Sequence, residues 1–261
     1  MDIIIRKDAD AAAQLVAKLT VKAINEKPAL TLGLATGRTM ELVYDKIVAM
    51  YNDGNADFSK CSSFNLDEYV GLAPEDPNSY RSYMNNFLFD RVNINKDKTN
   101  VPYGLAQDLQ AECRSYEEKI KAAGGIDFQL LGIGTSGHIG FNEPMSSLRS
   151  LTSVKALTKA TIEQNSPLFP KPEMMPRRAI TMGVNTILES KTAVLLATGD
   201  SKADIIAKAV EGPLCAAVTA SALQLHENCV VVLDEAAAKK LTMRDYYDWV
   251  FNSEPQWEEY R

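Results

Sequence analysis

Apolar residues along the chain recur in two alternating rhythms. Short apolar runs of strand length lie at residues 2–6, 30–35, 61–66, from 128 onward, near 151–157, and at 179–182, 193–197 and 230–233. Between them the pattern predicts helices over 8–26, 40–52, 79–92, 107–122, 158–166, 184–190 and 202–211. The first is the clearest. Asp8 opens it, and Ala11, Leu15, Val16, Leu19, Ala23 and Ile24 follow near helical spacing. Strands covered on both faces read as continuous apolar runs, so about seven strands alternating with helices predict an α/β fold with a mostly parallel sheet. No internal repeat or low-complexity linker breaks the series. Residues 1–241 are therefore read as one α/β domain. Residues 242–261 form a tail rich in aromatic residues (Tyr246, Tyr247, Trp249, Trp257), expected to dock on the domain or on a neighbouring subunit.

Open α/β sheets place their chemistry beyond the carboxyl ends of the strands. Four such ends carry small, polar or titratable residues: Thr36–Thr39, Asp67-Glu68, Gly134–Glu143 and Thr198–Lys202. The stretch 128–144 is the centre of the arrangement. It leaves its strand through Gly132 and Gly134 and delivers His138 and Glu143 five positions apart. Thr36-Gly37-Arg38-Thr39, between a strand and a helix, has the makings of an anion site, because free amides and the helix dipole both favour a phosphate. A plain capping turn is the alternative reading. It is not a P-loop, since G-x-x-x-x-G-K-[ST] is absent. Asp67 and Glu68 are either site carboxylates or solvated loop residues.

Composition narrows the classes. The 261 residues are 46% hydrophobic and 24% charged, ordinary values for a globular chain able to bury a large core. A net charge of −6 argues against nucleic acid as a partner, which needs clustered Lys and Arg. No apolar run approaches the ~18 residues of a membrane span, so no membrane partner is expected. The start shows no secretion signal. The four cysteines (Cys61, Cys113, Cys215, Cys229) form no C-x-x-C pair and read as reduced thiols of a cytoplasmic protein.

Only two histidines are present. His226 lies in an apolar stretch and reads as structural. His138, among glycines after a strand, is the candidate for proton transfer, since imidazole titrates near neutral pH. Glu143 either orients the His138 ring or caps the following turn. The spacing of His and carboxylates does not suit a metal, and no G-x-S-x-G elbow occurs. The G-x-G at 132–134 lacks its third glycine, so no nucleotide cofactor is expected, nor any other. A phosphate cradle, a carboxylate at a strand end and a His–Glu pair together suggest proton-shuttling chemistry on a sugar phosphate.

Phe64-Asn65-Leu66-Asp67-Glu68-Tyr69-Val70-Gly71-Leu72, with Gly134-x-x-Gly137-His138-Ile139-Gly140-Phe141-Asn142-Glu143-Pro144, closely resembles the glucosamine-6-phosphate deaminase family. Gly33–Gly37, Ser79-Tyr80, Lys202-Ala203 and Ala209–Gly212 support the resemblance, which runs over about residues 1–240. It implies a Rossmann-like fold. It also implies conversion of glucosamine 6-phosphate to fructose 6-phosphate and ammonia, in amino-sugar catabolism, by aldose–ketose isomerisation with deamination. By the same resemblance Asp67 is the base moving a proton between C2 and C1, His138 the ring-opening acid/base and Glu143 its partner. Thr36, Gly37, Arg38, Thr39 and Lys202 match phosphate-binding positions. Oligomers are common in the family, so a homo-oligomer is one expectation.

The chain departs from the family pattern at four points. Ser136 stands where Asp or Asn is usual, which reduces a three-member relay to a dyad plus a hydroxyl. Arg38 and Met40 alter the usual phosphate turn. Pro167, in Asn165-Ser166-Pro167-Leu168-Phe169, replaces a phosphate-binding arginine. Lys155 matches a basic position that some members use for an allosteric phosphosugar, but Ser153 replaces its arginine companion. Alternatives on the same fold are a 6-phosphogluconolactonase-like lactonase, another phosphosugar isomerase, and a non-catalytic sugar-phosphate sensor.

Overall fold

The computed structural model describes residues 1–261. In chain order it contains β1 (Asp2–Arg6), α1 (Ala9–Glu26), β2 (Thr31–Leu34), α2 (Arg38–Asn52), β3 (Ser62–Asn65) and β4 (Asp67–Tyr69). Then come α3 (Tyr80–Met84), β5 (Thr99–Asn100), α4 (Leu109–Ala122), β6 (Phe128–Leu131), β7 (Ser153–Ala156), α5 (Lys159–Asn165) and β8 (Arg178–Thr181). The chain ends with α6 (Val184–Leu188), β9 (Thr192–Ala197), α7 (Ala203–Val210), β10 (Cys229–Asp234), α8 (Glu235–Ala238) and α9 (Arg244–Ser253). Local chemistry sets the helix starts. The Asp8 carboxylate accepts from the Ala11 amide (2.8 Å) ahead of α1, and Asp108 does the same for Gln110 and Ala111 ahead of α4.

Seven strands form one sheet in the order β1-β10-β9-β6-β2-β3-β5, every pair parallel, with helices around it. Its strands carry the apolar runs that give a core of 58 buried residues. From β2 the chain moves outward through β3 to β5, whereas from β6 it moves through β9 to β10. The order therefore reverses between β2 and β6, and a crevice opens beyond their carboxyl ends.

Two of the expected strands lie outside this sheet. β7 and β8 pair antiparallel with each other, and β8 pairs antiparallel with β4, making a second sheet of three strands. The reason is visible in composition: Ser153-Val154-Lys155-Ala156 alternates polar and apolar and stays half-exposed, as antiparallel edges do. Asp67 and Glu68, expected in a loop past a strand, are themselves residues of the short strand β4. The seventh parallel strand, β5, is two residues long and was not expected. The helix expected over 79–92 is α3 followed by a wide π-type turn over Asn85–Phe89. A smaller core of Tyr69, Phe141, Leu157, Phe169, Met175 and Ala179 lies on the three-stranded sheet.

The tail joins the main core through Tyr247, Trp257 and Tyr260, all buried. Glu211 accepts from the amides of Thr242 and Met243 (2.9 and 3.0 Å) at the approach to α9. Gln256 donates to the Asp2 carboxylate (2.9 Å), so the last turn lies beside the first strand. At the amino edge of the sheet the buried Asp127 carboxylate takes Lys27 and Lys191 (2.6 Å each) and the Thr31 amide (2.9 Å). No helix is long and apolar enough to cross a membrane.

Candidate active site

The site grows from the exit of β6. Gly134 donates to the His138 carbonyl (2.9 Å) and its own carbonyl accepts from Gly137 (3.0 Å), which turns the chain back over the strand end. His138 folds onto Gly134 so closely that a β-carbon there would lie 2.1 Å from Nε2; glycine is required for the ring to sit where it does.

His138 Nδ1 lies 3.0 Å from Glu143 Oε2 and 2.8 Å from Ser136 Oγ, and Ser136 Oγ lies 3.4 Å from the same carboxylate oxygen. Sequence reasoning allowed a dyad plus a hydroxyl, and the three groups do converge. Glu143 Oε1 accepts from Thr161 Oγ1 (2.5 Å), Thr158 Oγ1 (3.1 Å) and the Thr158 amide (3.3 Å). Burial pushes the Glu143 carboxyl up, but the bonds from His138 and Thr161, the charge of the His138 ring when it is protonated, and the Thr158 amide outweigh it and bring it to about 2. Glu143 is thus ionised. The His138 proton must then sit on Nδ1, leaving Nε2 as the nitrogen with a free lone pair. The Glu143 side chain lies against the His138 ring and does not cap the turn that follows it; its other oxygen meets Thr158, the cap of α5, and Thr161.

Asp67 is 6% exposed. Its strand β4 pairs with Thr181, whose hydroxyl accepts from the Phe141 amide (3.0 Å) and ties the 138–143 loop to the small sheet. Gly140 completes the approach: a β-carbon there would lie 3.6 Å from Asp67 Oδ2. Burial, and then the neighbouring Glu68, push the Asp67 carboxyl up to about 8. The two adjacent carboxylates are unlike. Glu68 accepts from the amides of Tyr69 (2.8 Å), Tyr80 and Arg81 (3.0 Å each), so it anchors the start of α3.

Turns on both sides complete the rim. Because β6 lies between β9 and β2, the residues after β9 and β2 flank its exit. Gly37 caps α2, so Arg38 and Thr39 form its first turn, where the helix amides have no intrahelical partner. The Gly37 carbonyl accepts from Tyr83 Oη (2.9 Å). Arg38 is exposed and in no ion pair. On the other side Gly199 donates to Asp234 (2.9 Å), and Lys202 Nζ reaches across to the Ile133 carbonyl (2.7 Å). Burial lowers the Lys202 pKa.

Other expected positions stand apart. Lys155 lies on β7 opposite Ala179, two strands from β4 and in no ion pair. Pro167 falls in a 3₁₀ turn over Ser166–Leu168, and Phe169 after it packs edge-on against Tyr69 (centroids 5.8 Å apart). His226 is buried; its Nδ1 accepts from the Asn228 amide (3.1 Å) and its Nε2 faces Ser190 Oγ (3.2 Å), a satisfied core imidazole. No three His, Cys, Asp or Glu side chains gather as metal ligands. Thr158 and Thr161, which meet Glu143, and Tyr83, which meets Gly37, were missed. Thr158 had a signal, since a helix opening at 158 makes it the cap.

The family of glucosamine-6-phosphate isomerases and 6-phosphogluconolactonases matches residues 6–232. The chain belongs to this family. Within it, a Shewanella halifaxensis protein named glucosamine-6-phosphate deaminase is 53% identical over 247 residues, 95% of this chain and 94% of that protein. A Streptomyces avermitilis protein of the same name is 44% identical over 259 residues, 99% of both. A solved structure described as a monomeric glucosamine-6-phosphate deaminase superposes with a TM-score of 0.90 at 42% identity, covering 92% of this chain and 100% of its own. The 6-phosphogluconolactonase from Thermotoga maritima, 19% identical with a TM-score of 0.70 over 89% of this chain and 99% of its own, shares the fold.

Proposed function

We propose that the protein is a glucosamine-6-phosphate deaminase, converting glucosamine 6-phosphate and water to fructose 6-phosphate and ammonia. The observation that carries this reading is the pairing of a buried, weakly acidic Asp67 with the Ser136–His138–Glu143 group around one loop. His138 Nε2 takes the anomeric hydroxyl proton and returns it to the ring oxygen, which opens the sugar. Glu143 stabilises the imidazolium formed in passing. Asp67 removes the C2 proton from the open aldehyde and delivers it to C1, while a proton passes from the C2 amine to the carbonyl oxygen, leaving a hydroxyl at C1 and an imine at C2. Water adds there and ammonia departs. Each acid–base step is worth roughly 10²–10⁴-fold.

The phosphate is held between the turn that leads into α2 (Thr36–Thr39) and Lys202. Arg38 supplies the charge that Pro167 lacks, through a guanidinium fork suited to phosphate oxygens. Lys155 lies two residues along β7 from Ser153, which stands where the resemblance would place a second cation. Four free cysteines, three of them buried, suit the reducing cytoplasm where such a sugar phosphate is metabolised. Ammonia release from glucosamine 6-phosphate, beside an Asp67→Asn control, tests the reading. Release by the wild type and its loss in the control are expected. No release from the folded wild type, or hydrolysis of 6-phosphogluconolactone instead, would overturn it.

A further inference from the structure

The two oxygens of Glu143 are divided between different parts of the chain. Oε2 serves His138 and Ser136 on the β6 exit, and Oε1 takes three donors from the opening of α5: Thr161 Oγ1, Thr158 Oγ1 and the Thr158 amide. Thr161 is 4% exposed, and Thr158 Oγ1 in turn accepts from the Thr161 amide (3.3 Å). Thr161 is therefore closed off from solvent with the carboxylate, and the half-buried Thr158 brings a second hydroxyl and its amide to the same oxygen. A carboxylate fixed at one oxygen by three donors cannot rotate away from the imidazole held at the other.

We propose that Thr158 and Thr161 are positioning residues for ring opening: they lock the Glu143 carboxylate against His138, and through it they tie the start of α5 to the catalytic imidazole. The inference rests on the deaminase reading, because it assigns Glu143 to the ring-opening step. It adds that this partnership is held by a helix whose own sequence supplies no proton-transfer group to it. Of the titratable groups on the surrounding elements, His138 alone pairs with Glu143. Lys159, on the first turn of α5, is exposed and faces Glu163 (3.7 Å), and Lys155 on β7 makes no ion pair.

The test compares Thr161→Val, which keeps the shape and removes the donor, with Thr161→Ser, which keeps the donor. kcat and KM for ammonia release are measured on the alkaline plateau, above the Asp67 titration, and folding is checked by thermal midpoint. Losing a donor frees the carboxylate to turn away from the imidazole, so kcat of Thr161→Val should fall about tenfold, with a smaller change in KM. Thr161→Ser should restore kcat. Thr158→Val, which removes the Thr158 hydroxyl from Glu143 and from the Thr161 amide but keeps the Thr161 donor, should show a smaller fall of the same kind and serves if Thr161→Val does not fold. A folded valine variant with unchanged kcat, or with a change confined to KM, would overturn the proposal while leaving the deaminase reading standing. A wild type that releases no ammonia would instead remove that reading.

Discussion

At the scale of single residues, the site depends on making two carboxylates behave oppositely within one loop's reach. Asp67 has burial and a neighbouring carboxyl to raise it, and Glu143 has an imidazole and hydroxyl donors to lower it. Divergent pKa values of this kind separate acid–base roles. A base must be ionised to act, and Asp67 is protonated below about 8. The free-enzyme profile of kcat/KM should therefore climb through neutrality and level above about 8, where an ordinary carboxylate base would be level from about pH 5. The amine of the substrate titrates alike in every variant, so Glu68→Gln isolates the enzyme's contribution: removing the neighbouring carboxyl should move the rising limb to lower pH. Arg38 makes a separate prediction. Arg38→Ala should raise KM for the phosphosugar steeply, by ten- to a hundredfold for loss of a bidentate charged contact, and change kcat little. Unchanged KM in a steady-state titration would show Arg38 to be a solvated residue.

At the scale of elements, each functional residue stands where two segments meet, and carboxylates make several of the joints. Glu68 joins β4 to α3, Glu117 on α4 holds Thr152 and Thr186, and Glu211 receives the start of α9. Asp127 joins the starts of β2 and β9 at the edge opposite the site. Burial raises its carboxyl, but Lys191, Lys27 and the Thr31 amide hold it below the usual carboxylate range. A lowered carboxylate contributes stability that is present above its ordinary pKa near 4 and is lost as pH falls through the folded value. Asp127→Asn should therefore lower stability by roughly 1–3 kcal/mol at neutral pH, and the gap from wild type should close in acid. Urea titrations at two pH values read this directly. Ammonia release at saturating substrate should survive, because the site lies at the other end of the strands.

At the scale of the whole molecule, the parallel strands were legible because each is covered on both faces and so reads as an apolar run. The Gly134–Glu143 loop and the Asp67 strand end were legible because titratable residues there interrupt such runs. What could not be read is pairing between distant segments. Ser153–Ala156 and Arg178–Thr181 look like further members of the alternating series, and only their register with Asp67–Tyr69 turns them into a second sheet. β5 is too short for any periodicity. The hydroxyls on Glu143 were hidden because threonine at a helix start is an ordinary cap. Its use on a carboxylate fifteen residues earlier exists only once the chain has folded.

The bond between Gln256 and Asp2 has a topological consequence. With the last turn lying beside the first strand at the amino edge of the sheet, the point where the chain is cut is separate from the chemistry at the carboxyl edge. The order of the segments is then close to circular. A short bridge across the ends, with a new opening in the exposed glycine turn at Gly124-Gly125, would leave every site residue on an unbroken piece of chain.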